Sequence, residues 1–132
     1  MFNLNLHFQN KANRCGGRLF KRITCADGLS FSAQANEGAY CSPRQDNGPW
    51  TEVEVGFPSE KVEEMMEFAE NHSDPTGTVY GYVPVEIVEA VVEAHGGLMG
   101  LEAKNEKAAA LEAEIKTLQH KINELKSELE ML

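Results

Sequence analysis

Apolar and polar residues alternate from the start of the chain. Phe2, Leu4, Leu6 and Phe8 share one side, and Asn3, Asn5 and His7 the other. A period of two predicts a half-buried strand over 1–8. "QNKANRCGG" then reads as a loop. "RLFKRITC" and "LSFSAQAN" flank an Asp27-Gly28 tip. Asp-Gly between two alternating runs is a strong hairpin signal, because glycine reaches positive φ without steric cost. In the second arm Leu29, Phe31, Ala33 and Ala35 are expected to face inward, and Ser30, Ser32, Gln34 and Asn36 outward. "EGAYCSPRQDNGP" carries turn chemistry at Ser42-Pro43 and Asn47-Gly48-Pro49. "WTEVEVGF" resumes the alternation, with Val53, Val55 and Phe57 inward and Glu52 and Glu54 outward.

The period then changes. "PSEKVEEMMEFAENH" sets Val62, Met65, Met66 and Ala69 at helical spacing, with Glu60, Glu63, Glu64, Glu67 and Glu70 largely opposite. This predicts an amphipathic helix. "TVYGYV" reads as a short strand with Tyr80 and Tyr82 on one sheet face. "PVEIVEAVVEAH" reads as a second helix, opened by Pro84, stopped by Gly96-Gly97 and buried along Ile87, Val88, Val91 and Val92. The predicted fold is α+β, a small antiparallel sheet with two helices on one face. It occupies residues 1–97, of which 1–22 form a basic strand and loop.

Residues 98–132 follow a third pattern, a long helix written in heptads. Ala108, Ile115, Ile122 and Leu129 take position a, and Leu111, Leu118, Leu125 and Leu132 take position d. So narrow a seam suits a partner helix better than a globular core. Ile at a with Leu at d favours a parallel homodimer. The flanking charges leave a trimer or an antiparallel assembly open: Lys107 attracts Glu112, Glu114 meets Gln119, and Lys121 repels Lys126. The alternative is a helix folded back onto its own domain.

The chain has a net charge of −9, unevenly spread. Residues 1–26 hold Lys11, Arg14, Arg18, Lys21 and Arg22 and no acid, whereas residues 27–100 hold fourteen acids against Arg44 and Lys61. The acidic middle argues against direct nucleic-acid binding and permits a basic partner surface. No apolar run approaches membrane-spanning length, and Met1–Phe8 lacks the layout of a signal peptide. Cys15, Cys25 and Cys41 fit neither a disulfide framework nor a zinc pair, so free thiols in a reducing cytosol are expected, Cys41 exposed and Cys25 inward.

No catalytic motif, cofactor fingerprint or metal signature stands out. A non-enzymatic protein without a cofactor is expected. The most distinctive surface element is "AYCSPRQDNGPW", which gathers Tyr40, Arg44, Asp46 and Trp50. Aromatic and arginine residues are enriched at binding hot spots. The plainer reading makes it a connector whose Tyr40 and Trp50 cap the core. Glu52, Glu54, Glu63, Glu67 and Glu70 complete the candidate partner-binding set.

The Asp-Gly hairpin, "CSPR", "EVGFPS" and "YGYVPVE" lie in a stretch, about Ile23 to Gly97, that resembles small uncharacterised accessory proteins of tailed bacteriophages and prophages. The resemblance implies the cytoplasm of a bacterial host. It implies a protein that binds and inhibits a host protein or antiviral defence complex, in the anti-CRISPR manner or another. The acidic faces could imitate nucleic acid in a basic groove. Two other classes stay open: a virion structural or assembly protein, and a small-molecule binder with a pocket between sheet and helices.

Overall fold

The computed structural model describes residues 2–130, those from 101 to 110 by their backbone alone. The chain forms two compact units, one ending at Met99 and one beginning at Gly100.

The first unit is α+β. A four-stranded antiparallel sheet runs in the order β3 (Ile23–Thr24), β4 (Ser30–Gln34), β5 (Glu52–Gly56), β6 (Val79–Pro84). Every strand therefore pairs with its neighbour in sequence, the low-entropy-cost arrangement for short connections. Asp27-Gly28 turns the β3–β4 hairpin as expected, with Ile23 opposite Phe31 and Gly28 at φ +102°. The inward set Leu29, Phe31, Ala33 and Ala35 is buried, and Val53 and Val55 of β5 join it. Helix α2 (Val85–Ala94) follows β6 directly and buries Val85, Val88, Val91 and Val92, while Ile87 is only half-buried at the edge of the stripe.

The N-terminal segment is not a strand. Leu4–Gln9 forms helix α1. Leu4 and Phe8 satisfy a helical spacing as well as an alternating one, and they are buried, whereas Leu6 is 61% exposed. Two interactions decide between the periods. The Asn3 side chain caps the helix by accepting from the Leu6 amide at 3.0 Å. Glu93 and Glu89 of α2 accept from the amides of Phe2 and Leu4, the latter at 2.8 Å. Carboxylates from a distant helix thus take up donors at the start of a helix too short to stand alone.

A separate two-stranded hairpin, β1 (Arg14–Gly16) and β2 (Leu19–Phe20), carries Arg14 and Arg18, with Lys11 before it and Lys21 and Arg22 just after. It is fastened to the main sheet by Gln34, which accepts from the Phe20 amide at 2.9 Å and donates to the Phe20 carbonyl at 2.8 Å.

The expected helix over the Glu-rich segment is only a 3₁₀ helix, Glu63–Phe68. Its Val62, Met65 and Ala69 are buried and Met66 half-buried. Like charges at i, i+4, such as Glu60 with Glu64 and Glu63 with Glu67, weaken an α-helix here. The chain also leaves the helical path at Ala69, which bridges to Tyr80, and the Glu70 amide bonds to the Val79 carbonyl at 2.9 Å.

The second unit is dominated by the 30-residue helix α3, Leu101–Glu130.

Candidate partner-binding face

The loop between β4 and β5 separates its aromatic residues. Trp50 is only 4% exposed and belongs to the core. It meets Phe8 edge-on at 5.6 Å and Phe20 at 6.2 Å, while Phe8 and Phe20 stack at 4.1 Å. Trp50 and Asn5 exchange two hydrogen bonds, and the indole Nε1 donates to the Gln45 carbonyl at 3.1 Å. Of the two readings of Trp50, core cap and hot spot, the structure selects the first. Cys41 is likewise buried rather than exposed, with its thiol directed at the carbonyls of Asn36 and Pro43 at 3.2 and 3.4 Å. Asn36, expected outward, is buried with it, its side chain turned back to accept from the Gly38 amide. Asp46 accepts from the Glu37 amide at 2.9 Å and pairs with Arg18 of the β1–β2 hairpin at 3.4 Å. Its role is to hold the loop.

Tyr40 does lie at the surface, 42% exposed, and Tyr82 matches it at 42%. The rings are 6.1 Å apart, tilted by 34°. Tyr82 faces outward because β6 bulges. Val55 pairs with Tyr80 and Val53 with Val83, so Gly81 and Tyr82 together oppose Glu54. The expected shared face of Tyr80 and Tyr82 is thereby lost: Tyr80 is fully buried, and Tyr82 turns out with φ +55°. Burial, with the Asp74 charge second, raises the Tyr80 phenol above its usual pKa, and the hydroxyl donates to the Pro75 carbonyl. Phe57, expected inward, also departs from the alternation, at φ +51° and half exposed.

Tyr40 is the junction of this face. Its amide donates to Glu54 Oε1 at 3.4 Å, and its carbonyl accepts from the Tyr82 amide at 3.0 Å. The Arg44 guanidinium lies 5.9 Å from the Tyr40 ring centroid. Beside Ala39 and Glu54 an open cleft of about 470 Å³ continues the face, walled by Arg18 and Leu19 of the hairpin and by Gln34 of β4.

Of the sequence-selected set, the structure brings Tyr40, Arg44 and Glu54 together, with Glu52 two residues along the same side of β5. Glu63, Glu67 and Glu70 are exposed but lie on and just after the 3₁₀ segment, beyond β6. The acids therefore form two groups. Tyr82 joins the site where pairing on one face was expected, and Gly81 carried the signal, since an isolated glycine in a strand marks a bulge.

A second pair stands at the other end of the unit. His95, at the end of α2, places Nδ1 2.6 Å from Asp27 Oδ2 at the hairpin tip. The Leu29 amide first, and His95 second, hold the Asp27 carboxyl below its ordinary pKa. Nearby Cys25 is a buried free thiol, pushed up to about 11 by burial and then by the Asp27 charge. His95 also lines a small pocket of about 280 Å³ with Glu64, Ile87 and Val91. The described residues bring no three metal-ligating side chains together.

On α3, Leu111, Ile115, Leu118, Ile122, Leu125 and Leu129 are each between 50% and 70% exposed. Leu132 lies outside the described residues, and so do the side chains of Lys107 and Ala108. His120 is exposed and pairs with Glu124 one turn on, at 3.0 Å. Among the described residues no helix is long and apolar enough to cross a membrane. No protein-family model, curated protein or solved structure matches the chain.

Proposed function

We propose that this chain is a self-associating, non-enzymatic binding protein. Its α3 helices pair along the Leu–Ile stripe, and its α+β unit presents the Tyr40–Tyr82 face to a protein partner. The observation that carries this reading is the exposure of six apolar side chains at heptad spacing on one helix. Left half in water, each forgoes roughly half of the ~1.5–3 kcal/mol that full burial brings. Meeting a second copy of the same stripe recovers it on both helices at once. Pairing also doubles the binding face, which gives avidity towards a symmetric or repeated partner.

The resemblance of residues 23–97 to phage accessory proteins supplies the setting: inhibition of a host protein or antiviral defence complex in the bacterial cytoplasm. Producing the chain in a bacterial host with an active defence system tests this. Plaque counts of a sensitive phage should rise against an inactive control chain. If no panel of defence systems is relieved, the inhibitor reading falls. High copy in purified particles would assign the chain to virion assembly instead.

A further inference from the structure

From the Tyr40–Tyr82 face we infer the chemistry of the partner. This face receives arginine side chains of a basic protein segment. The inference deepens the binding-protein reading above and rests on it.

Four observations converge on one residue, Tyr40. Its ring already has the Arg44 guanidinium 5.9 Å from its centroid, which is the geometry of a cation over an aromatic face. The second ring, Tyr82, lies 6.1 Å away and is equally exposed. The Tyr40 amide is bonded to the Glu54 carboxylate, and its carbonyl to the Tyr82 amide. Glu52 follows on the same side of β5, and neither Glu52 nor Glu54 forms an ion pair among the described residues. Aromatic faces beside carboxylates that lack an ion pair offer a guanidinium both stacking and charge, and its planar fork suits them better than a compact ammonium.

Backbone cost points the same way. A bulky residue at positive φ is unfavourable, yet Tyr82 holds φ +55° and thereby turns its ring outward. Strain of this kind persists where the surroundings enforce it, often at binding sites. The rings, 6.1 Å apart, are too close for a third plane to insert between them, so the incoming side chain lies over the outer face of Tyr82. On this face the complementary charge comes from Glu52 and Glu54 of β5.

The probe is a tetra-arginine peptide, with tetra-citrulline as its neutral near-isostere. Titration of the full-length protein is followed by aromatic NMR shifts and calorimetry. Tetra-arginine should shift the Tyr40 and Tyr82 ring resonances, and tetra-citrulline should not. Tyr82→Asn removes the ring but tolerates positive φ, and it should weaken binding about two- to fivefold. Glu54→Gln should weaken it about as much. Unchanged affinity in Tyr82→Asn, with its melting curve intact, would mean that the acids attract the peptide without the rings, and the inference falls. No binding by the wild type, or equal binding of citrulline, also overturns it. Light scattering on the same wild-type sample separates this from failure of self-association, because an oligomer that ignores the peptide leaves that half of the proposed function standing.

Discussion

His95 and Asp27 join the end of α2 to the tip of the β3–β4 hairpin through a single 2.6 Å contact between Nδ1 and Oδ2. The same junction is sealed by the backbone, where the Ala26 amide donates to the Gly97 carbonyl at 2.8 Å and the Asp27 amide to the His95 carbonyl at 3.2 Å. It fixes the helix on the sheet at the point where the first unit ends.

A dependence on pH follows. The folded state holds Asp27 below its ordinary pKa of 3.8, so its carboxylate favours folding. A depressed carboxyl contributes stability above its unfolded pKa and loses it as pH falls through the folded one. Asp27→Asn should therefore melt lower than wild type at neutral pH, and the gap should narrow as pH drops below about 3.8. Taking the difference between the two melting curves removes the other carboxylates. A gap that widens in acid would contradict this account of the pair.

Trp50 and Tyr40 come from the same loop and should respond oppositely to truncation. Trp50→Ala opens a cavity against Phe8 and Phe20 and should cost about 3–5 kcal/mol in urea unfolding. Tyr40→Ala removes an exposed ring and should cost less than about 1 kcal/mol. If Tyr40→Ala proves the more damaging, the division of the loop into core and surface is wrong.

The thiols should separate by burial. Cys15 is exposed, and Cys25 and Cys41 are buried. Native protein should show one group reacting fast with a thiol reagent near neutral pH, and denatured protein three. Cys25, with a pKa of about 11, stays protonated there and is doubly protected. Two fast thiols in the native state would place Cys41 in solvent.

Local signals were readable wherever the turn chemistry and the side-chain period agreed. The Asp27-Gly28 turn, the buried face from Leu29 to Ala35 and the valine stripe of α2 are of this kind. The N-terminal segment misleads because Leu4 and Phe8 suit both periods, and the deciding Glu89 and Glu93 lie 85 and 91 residues from the amides they bind. The Glu-rich segment carried a helical pattern, but pairing of Ala69 with Tyr80 drew the chain into the sheet edge. Within the candidate site, composition pointed to Tyr40 and Arg44. It could not separate them from Trp50, because the aromatic pocket that takes Trp50 is built by α1 and β2.

The proposed pairing of the α3 stripe with a second copy of itself stands or falls on Ile122→Lys. Ile122 lies inside the stripe and is half exposed in the single chain. In a homodimer the substitution sets two charges against the seam and forgoes on each helix roughly half of the ~1.5–3 kcal/mol that full burial brings. Light scattering at micromolar concentration should find an oligomer for wild type and a monomer for Ile122→Lys, with the strand signal and cooperative melt of the first unit retained. A monomeric wild type, or a variant that associates as wild type does, would contradict the account.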